Sequence, residues 1–379
     1  MKYFYKFLIL SFAGIGLLLL TPPTFYFTYK LFNSNPDVRL ETQKYFEIRH
    51  KLGLYDDFDW AEKHFKEYLS LKSKYYDFIS WRRIDFKGET INIKNGIRDT
   101  FISKEINLGK EFWFFGGSTT WGTGSNDFYT YPSIFSRISN YKSINYGETG
   151  WVSRQSLSFL NNLYISKNND NEKIIIFYDG VNDIMLKCNE SFKTLGTSRE
   201  SFIQDKIDKN KNIFSFEKTF YQLNSMISKA IDRIALRLNI SIKSKNQNNN
   251  VNYNCGSSAN KTKFVGDMII RTWIQAQKLA KANGDIFVAI LQPVTVYGEI
   301  NYEYLPIEPN NVKYLKNEFK SVYSYIKKNA PIELDYFLDF TNIFDECSNC
   351  YIDFSHTGPQ GNKVISENLY KNFVKLGLL

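Results

Sequence analysis

The sequence predicts an α/β fold built around a parallel β-sheet. From residue 110 onward, short runs of β-branched and aromatic residues alternate with longer segments of helical periodicity. This is the pattern of parallel strands that are joined by crossover helices. The run "IIIF" at 174–177 is apolar at every position, as expected for a central strand that is covered on both faces. The chain has 379 residues, of which 43% are hydrophobic, so it can bury a substantial core.

The predicted strands and helices follow one another along the chain, with one interruption. The strands are predicted at 112–116, 143–147, 173–180, 285–293 and 334–340. The helices are predicted near 128–140, 153–166, 263–283, 311–329 and 359–376. An insertion at about 186–262 interrupts the alternation. Its first part contains a plausible amphipathic helix at 216–238, and its asparagine-rich part at 241–261 is predicted to be a loop.

The amino-terminal residues 1–30 are predicted to anchor the protein in a membrane. Residues 7–29 carry no charge and lie between Lys6 and Lys30, and a segment of this length can span a bilayer. Its apolar centre also fits the core of a signal peptide, but no A-x-A-like cleavage site follows. We therefore expect an uncleaved signal anchor, with the remainder of the chain exported to the periplasm or the cell exterior.

Two further regions follow this segment. Residues 31–108 are polar and rich in aromatic residues, with a helical stretch in "DWAEKHFKEYLSLKSKYY" at 59–76. They are interpreted as an amino-terminal cap region that packs on the main domain, which covers 109–379. No sequence feature indicates the oligomeric state.

The charged residues give no indication of a nucleic-acid partner. The formal net charge is +9, from 48 basic and 39 acidic residues that are scattered along the chain. Nucleic-acid binding would need a clustered basic surface or a recognisable module, and the sequence contains neither. This distribution indicates only a mild attraction to anionic surfaces.

The four cysteines are interpreted as two disulfides of an exported protein. Cys188 with Cys255 and Cys347 with Cys350 is the first of the three possible pairings to consider. A zinc site is the alternative, but "CSNC" has no second such pair and the chain has only three histidines. We predict no metal, and the absence of a nucleotide loop or redox motif predicts no cofactor.

Polar residues at the carboxyl ends of the predicted strands are the candidates for chemistry, because ligands bind there in open parallel sheets. Ser118 in "GGSTTWG" follows the first strand and could be a nucleophile or only a helix-capping serine in a turn. A nucleophilic serine needs a base with an orienting partner. His356 is the only histidine beyond residue 64, and Asp353 precedes it by three positions. The backbone N–H groups of Ser118 and Gly150 and the Asn182 amide could stabilise an oxyanion.

The blocks "GGSTTWG", "NYGETG", "GVND" and "DFSH" resemble the four blocks of the SGNH hydrolase superfamily, also called GDSL-like esterases and lipases. The resemblance covers roughly 110–379 and implies a catalytic triad of Ser118, His356 and Asp353. It also implies an oxyanion hole of Ser118, Asn182 and Gly150, with Gly147 as the alternative glycine. The implied fold is a three-layer α/β/α sandwich with a five-stranded parallel sheet. One departure is Gly117, which replaces the aspartate before the serine.

Each block taken alone also has a structural interpretation. "GVND" is a common turn, Asp353 could cap the last helix, and His356 could be an ordinary surface histidine. Asp179 and Asp183 are expected to shape a turn. Trp121 and Trp151 could line a pocket or belong to the core.

The resemblance implies a serine esterase that acts through an acyl-enzyme. An anchored, exported enzyme of this kind suits the O-acyl groups of cell-surface glycans, O-acetyl groups above all. The alternatives are a lipase or lysophospholipase, an O-acetyltransferase, and a catalytically silent protein that uses the same fold to bind glycans. The expected partners are therefore an acylated carbohydrate or lipid substrate, and a membrane through the amino-terminal helix.

Overall fold

A mixed β-sheet with helices on both faces forms the centre of this computed structural model. The structure describes residues 48–102, 106–166, 171–190, 196–197, 199–200, 203–204, 252–298, 304–305 and 314–379. The strands are β1 (Ser73–Tyr76), β2 (Ser80–Arg83), β3 (Phe86–Lys87), β4 (Asn92–Lys94), β5 (Ile97–Arg98), β6 (Asn107–Gly116), β7 (Tyr141–Asn145), β8 (Glu172–Asp179), β9 (Ile286–Leu291) and β10 (Phe337–Asp339). The α-helices are α1 (Ala61–Ser70), α2 (Ser118–Trp121), α3 (Tyr131–Ser139), α4 (Ser153–Ser166), α5 (Val181–Lys187), α6 (Ala259–Ala282), α7 (Lys316–Glu333) and α8 (Pro359–Lys375).

Within the described residues, the main sheet has eight strands in the order β10-β9-β8-β6-β7-β5-β4-β3. The first five in this order are parallel to one another, and they are the five strands that the sequence predicts. The prediction of a five-stranded, entirely parallel sheet is nevertheless wrong. Strands β3, β4 and β5 continue the sheet in antiparallel orientation. They join it where Arg98 pairs with Asn145, so that the open edge of β7 is covered.

Side chains of the central strands alternate between the two faces of the sheet and fill two hydrophobic cores. Trp113, Phe115, Ile175 and Phe177 belong to the core that also contains residues of α4, α6 and α7. Phe112, Phe114, Ile174 and Ile176 belong to the other core, with residues of α3 and α8. The period of two along a strand explains this division. With both faces covered, β8 is buried along nearly its whole length, as its apolar run predicts.

One predicted element differs in type from the structure. A helix is expected over 59–76, but α1 ends at Ser70. Residues 73–76 instead form β1, which pairs antiparallel with β2. The turn between the two strands contains Phe78 at φ 62° and leads into Ser80 at φ 81°. This left-handed backbone reverses the chain, so that Tyr76 pairs with Ser80, which a continued helix could not do.

Two predictions about the amino-terminal and inserted segments lie outside the described residues. These are the membrane anchor within 1–30 and the amphipathic helix at 216–238. Among the residues that are described, no helix is both long enough and apolar enough to cross a membrane. The division of the chain into a cap region at 31–108 and a main domain at 109–379 stays a prediction.

The predicted disulfide pairing is confirmed. Cys188 is bonded to Cys255, and Cys347 is bonded to Cys350. The sulfur atoms of Cys347 and Cys350 are bonded to each other, so these two residues of "CSNC" do not offer thiolates to a metal. The first bond joins the residues that follow α5 to those that precede α6, and so closes the insertion at its base.

The two disulfides are expected to differ in their contribution to stability. The first joins residues 67 positions apart and the second residues 3 positions apart. In the chain-entropy description, closing the longer loop contributes about 4 kcal/mol to the free energy of unfolding and closing the shorter one about 1.5 kcal/mol. In urea denaturation, the C188A/C255A variant should therefore lose clearly more stability than its control, C347A/C350A. Equal losses would contradict this explanation.

Candidate active site

Ser118 lies at the carboxyl end of β6, in the middle of the parallel part of the sheet. Gly116 ends the strand, Gly117 is the N-cap residue of α2, and Ser118 is the first residue of that helix. A side chain at Gly116 would collide with Tyr178 O, 2.5 Å from the position of a Cβ atom, so glycine permits the sharp turn from strand to helix. Because the N-cap position is occupied by Gly117, Ser118 is not a helix-capping serine.

Asp353 and His356 lie in one tight turn just before α8. The carboxylate oxygen Oδ1 of Asp353 accepts hydrogen bonds from the backbone N–H groups of Ser355 (2.9 Å) and His356 (2.8 Å). The other oxygen, Oδ2, lies 2.7 Å from His356 Nδ1. The backbone N–H of Ile352 donates to His356 O at 2.9 Å and closes the turn. The spacing of three residues therefore lets the carboxylate reach both the backbone and the ring of the histidine.

The structure brings this turn to Ser118. His356 Nε2 lies 2.6 Å from Ser118 Oγ, although the two residues are 238 positions apart in the sequence. Thr119 contributes to the contact, because its hydroxyl donates a hydrogen bond to Ser355 O at 3.1 Å. The three side chains form a continuous hydrogen-bonded chain from carboxylate to imidazole to hydroxyl, which is the arrangement that activates a serine.

The Asp353 carboxylate is ionised in this environment. Its side chain is only 4% exposed, and burial alone would raise its pKa. The electrostatic attraction of the His356 ring and of the Arg49 guanidinium, with the hydrogen bonds from His356 and Ser355, outweighs burial and holds the pKa of Asp353 well below its usual range. An ionised carboxylate can only accept hydrogen bonds. Its partner Nδ1 must therefore be the donor in this contact, and Nε2 is the ring nitrogen that faces the Ser118 hydroxyl.

Asn182 lies at the same edge of the sheet, at the start of the helix that follows β8. Its amide nitrogen donates a hydrogen bond to Trp151 O at 2.7 Å. A Cβ atom at Gly117 would lie only 2.4 Å from that nitrogen, so the amide packs against the residue before Ser118. An asparagine amide has two N–H donors, and one of them remains for a second acceptor beside the serine.

This contact explains the departure from the family pattern at Gly117. The space that a side chain at this position would fill is occupied by the Asn182 amide. In this chain, the absence of a side chain at Gly117 leaves room for the Asn182 amide.

The two candidate glycines of the second block, "NYGETG", have different environments. The N–H group of Gly147 donates to Asn145 Oδ1 at 3.1 Å, and a Cβ atom here would lie 2.7 Å from Trp121 N. Gly147 is thus a close-packing position whose N–H already has an acceptor. Gly150 has a φ of +75° and directly precedes Trp151, whose carbonyl accepts the Asn182 amide. Gly150 therefore remains the candidate oxyanion donor.

The tryptophans and the two aspartates of these blocks have structural environments. Trp121 and Trp151 are each 1% exposed and belong to the core. Asp183 accepts hydrogen bonds from the backbone and the hydroxyl of Ser153, at 3.0 and 2.8 Å, and Asp179 accepts one from the indole N–H of Trp273 at 3.2 Å. Burial raises the pKa of both carboxyl groups. Their partners are elements of the scaffold, namely the start of α4 and the middle of α6.

Two residues from the amino-terminal part of the chain hold the loop that follows Ser118, and no sequence pattern predicts them. The guanidinium of Arg98 is buried and donates to Trp121 O (2.9 Å) and Gly122 O (2.6 Å). His64 lies with Nε2 2.9 Å from Thr123 O. Burial, together with the charge of Arg98, lowers the pKa of His64 to about 3, so this histidine is neutral. No local motif marks either residue, because each partner lies far away in the sequence.

No protein-family model and no curated protein sequence matches the chain. The solved structures that are similar to it include a member of the lipolytic protein G-D-S-L family from Veillonella parvula, with a TM-score of 0.42, 12% identity, and 70% of this chain and 98% of that chain covered. Others are a carbohydrate acetylesterase from Sinorhizobium meliloti (TM-score 0.39, 11% identity, 70% and 99% covered) and an aryl esterase from M. smegmatis (TM-score 0.39, 10% identity, 70% and 99% covered). These are proteins of the kind that the sequence resemblance names.

Substitution of Gly117 by alanine is expected to displace the Asn182 amide. The added methyl group would lie 2.4 Å from the amide nitrogen, so Asn182 must move away from Ser118. If the amide stabilises negative charge beside the serine, G117A should lower the rate of Ser118 reaction with a fluorophosphonate by roughly 10- to 100-fold. The matched control is G109A, because a Cβ atom at Gly109 has no neighbour within 4 Å. Equal rates for the two variants would show that Asn182 does not contribute.

Proposed function

We propose that this protein is a serine esterase with Ser118 as nucleophile, His356 as general base and Asp353 as the residue that orients the base. The observation that supports this most directly is the distance of 2.6 Å between Ser118 Oγ and His356 Nε2. The other ring nitrogen, Nδ1, lies 2.7 Å from Asp353 Oδ2, so the three side chains are connected by hydrogen bonds. A serine hydroxyl becomes a competent nucleophile when a base is held this close in the correct tautomer.

In the proposed reaction, His356 Nε2 accepts the proton of Ser118 as Oγ attacks the ester carbonyl carbon. The tetrahedral intermediate then collapses, the imidazolium gives its proton to the leaving alcohol, and the acyl group stays on Ser118. A water molecule, deprotonated in turn by His356, releases the acid and restores the serine. The ionised Asp353 favours the imidazolium that forms in each half-reaction.

Negative charge on the carbonyl oxygen develops only in the tetrahedral state, so fixed donors at that position lower the barrier. The proposed donors are the backbone N–H groups of Ser118 and Gly150 and the second N–H of the Asn182 amide. As the first residue of α2, Ser118 has a backbone N–H without an acceptor inside its own helix. The hydrogen bond from Asn182 to Trp151 O holds the amide in a fixed orientation before substrate binds.

The proposed substrates are O-acyl groups, O-acetyl groups above all, on cell-surface or extracellular glycans. This part rests on the anchor predicted within residues 1–30 and on the two disulfides, which are typical of exported proteins. An enzyme tethered outside the cytoplasm has access to surface polymers. Release of acetate from acetylated glycans would support this substrate class. Release of fatty acid from phospholipid would favour a lipase or lysophospholipase, and transfer of acetate to a sugar hydroxyl an O-acetyltransferase.

A catalytically silent, glycan-binding protein of the same fold is the alternative from another class. Binding alone does not require an activated serine, whereas this chain has a base, a carboxylate and an amide arranged around one hydroxyl. Reaction with an active-site-directed probe therefore separates the two functions.

Substitution of Ser118 by alanine should abolish labelling by a fluorophosphonate and ester hydrolysis, because the attacking oxygen is removed. The measurement is gel-based labelling together with hydrolysis of a short-chain aryl ester. S166A is a suitable control, since Ser166 is the last residue of α4 and its hydroxyl donates to Leu163 O of the same helix. Undiminished labelling of S118A would refute the assignment of the nucleophile.

Substitution of Asn182 by alanine should lower kcat by roughly 10² to 10³ with a much smaller effect on KM, because its amide acts mainly in the transition state. The control is N283A, since Asn283 lies at the exposed end of α6 and its amide donates to Leu279 O. A normal kcat for N182A would remove Asn182 from the proposed oxyanion hole.

A further inference from the structure

Arg49 contacts the carboxylate of the Asp353–His356 pair from the amino-terminal part of the described chain. The nitrogen Nη2 of its guanidinium group donates a hydrogen bond to Asp353 Oδ2, and both side chains are only 4% exposed. This is the same oxygen that lies 2.7 Å from His356 Nδ1. The arginine and the histidine therefore share one carboxylate oxygen, while the other oxygen accepts two backbone N–H groups.

We propose that Arg49 is a positioning residue of the active site, which holds Asp353 in place and keeps His356 in the neutral form that can accept a proton from Ser118. The proposal rests on the proposed esterase function. It adds a residue that lies outside all four sequence blocks and 304 positions before its partner.

The electrostatic reason is that two nearly buried, opposite charges, those of Asp353 and Arg49, act on the same imidazole. The carboxylate of Asp353 attracts a proton to the imidazole, and this attraction favours the imidazolium. The nearby guanidinium neutralises part of that field and repels a positive charge on the ring. Because buried charges interact more strongly than exposed ones, Arg49 should weaken the stabilisation that the carboxylate gives to a protonated His356 before substrate binds.

The other titratable groups near Asp353 do not change charge under assay conditions. In the described part of the chain, Tyr55 and Tyr351 also interact with Asp353 electrostatically. Burial raises the pKa of both phenols far above the ordinary value, so they stay neutral. Tyr55 is held by a hydrogen bond from its hydroxyl to Gly124 O at 2.6 Å. A pH effect of Arg49 would therefore act through Asp353 and His356.

The geometry also restricts the orientation of the carboxylate. A guanidinium group is planar and always charged, and it contacts a carboxylate in a fixed direction. With Arg49 on one side and the backbone of the turn on the other, Asp353 cannot rotate away from His356. A purely structural role would lower stability or overall activity, whereas the proposed role also sets the pH at which the base loses its proton.

The test is the pH dependence of fluorophosphonate labelling in the full-length protein. The second-order rate constant of wild type should rise with pH as the imidazole becomes neutral. In R49M the midpoint of this rise should move by roughly one pH unit to higher pH, which is an about tenfold lower rate on the acid limb. R49K keeps the positive charge and should stay near the wild-type midpoint. R49Q is a second neutral variant, and it carries the same expectation if R49M does not fold.

The matched control is R82M, because Arg82 is also a buried arginine of this region but donates to Gly96 O and packs over the ring of Phe159. R82M is expected to lose stability without a shift in midpoint. A midpoint in folded R49M or R49Q equal to that of wild type would overturn the role of Arg49. That result differs from a failure of the proposed function, in which wild-type protein would not be labelled or S118A would be labelled equally.

Discussion

A buried, ionised carboxylate is the constraint on which the site depends. Removing a carboxylate from water is costly unless charged or hydrogen-bonding partners replace the water, and Asp353 is nearly inaccessible. Its partners are two backbone N–H groups of its own turn, the ring of His356 and the guanidinium of Arg49. These partners fix the turn, the turn fixes the imidazole, and the imidazole meets Ser118. The position of the imidazole beside Ser118 thus follows from the way in which one buried carboxylate is hydrogen-bonded.

The sheet supplies the common edge at which these groups meet. Parallel strands β6 and β8 end side by side, so that Ser118 and Asn182 follow neighbouring strands. Glycines allow the backbone to turn at these ends, and Gly117 leaves space for the Asn182 amide. Three residues from the amino-terminal part of the described chain hold the two segments that contain Ser118 and His356. Arg98 and His64 hold the loop after Ser118, and Arg49 holds the turn that contains His356.

The sequence predicts those parts of the molecule whose signal is local. The run at 174–177 identifies β8 because burial on both faces requires an uninterrupted apolar segment, and Asp353 and His356 are recognisable because three residues suffice to form their turn. Strands β3, β4 and β5 have only two or three residues each, which is too short for periodicity to indicate them. The helical pattern of 59–76 was misleading beyond Ser70, because cross-strand pairing with β2 decides the structure there. Arg49 has no local signal, since its role depends on a partner 304 positions away.

The contact between Arg49 and Asp353 also bears on how the protein reaches its folded state. A ribosome makes the arginine 304 residues before the aspartate, and the strands of the parallel sheet are likewise assembled from distant segments. Folds that rely on such remote pairings form slowly, because the chain must close long loops before the contacts can stabilise it. Arg49 therefore stays hydrated until residue 353 has been synthesised. A nascent chain that stops before residue 353 would contain Ser118 and still lack the carboxylate and the imidazole that lie beside it.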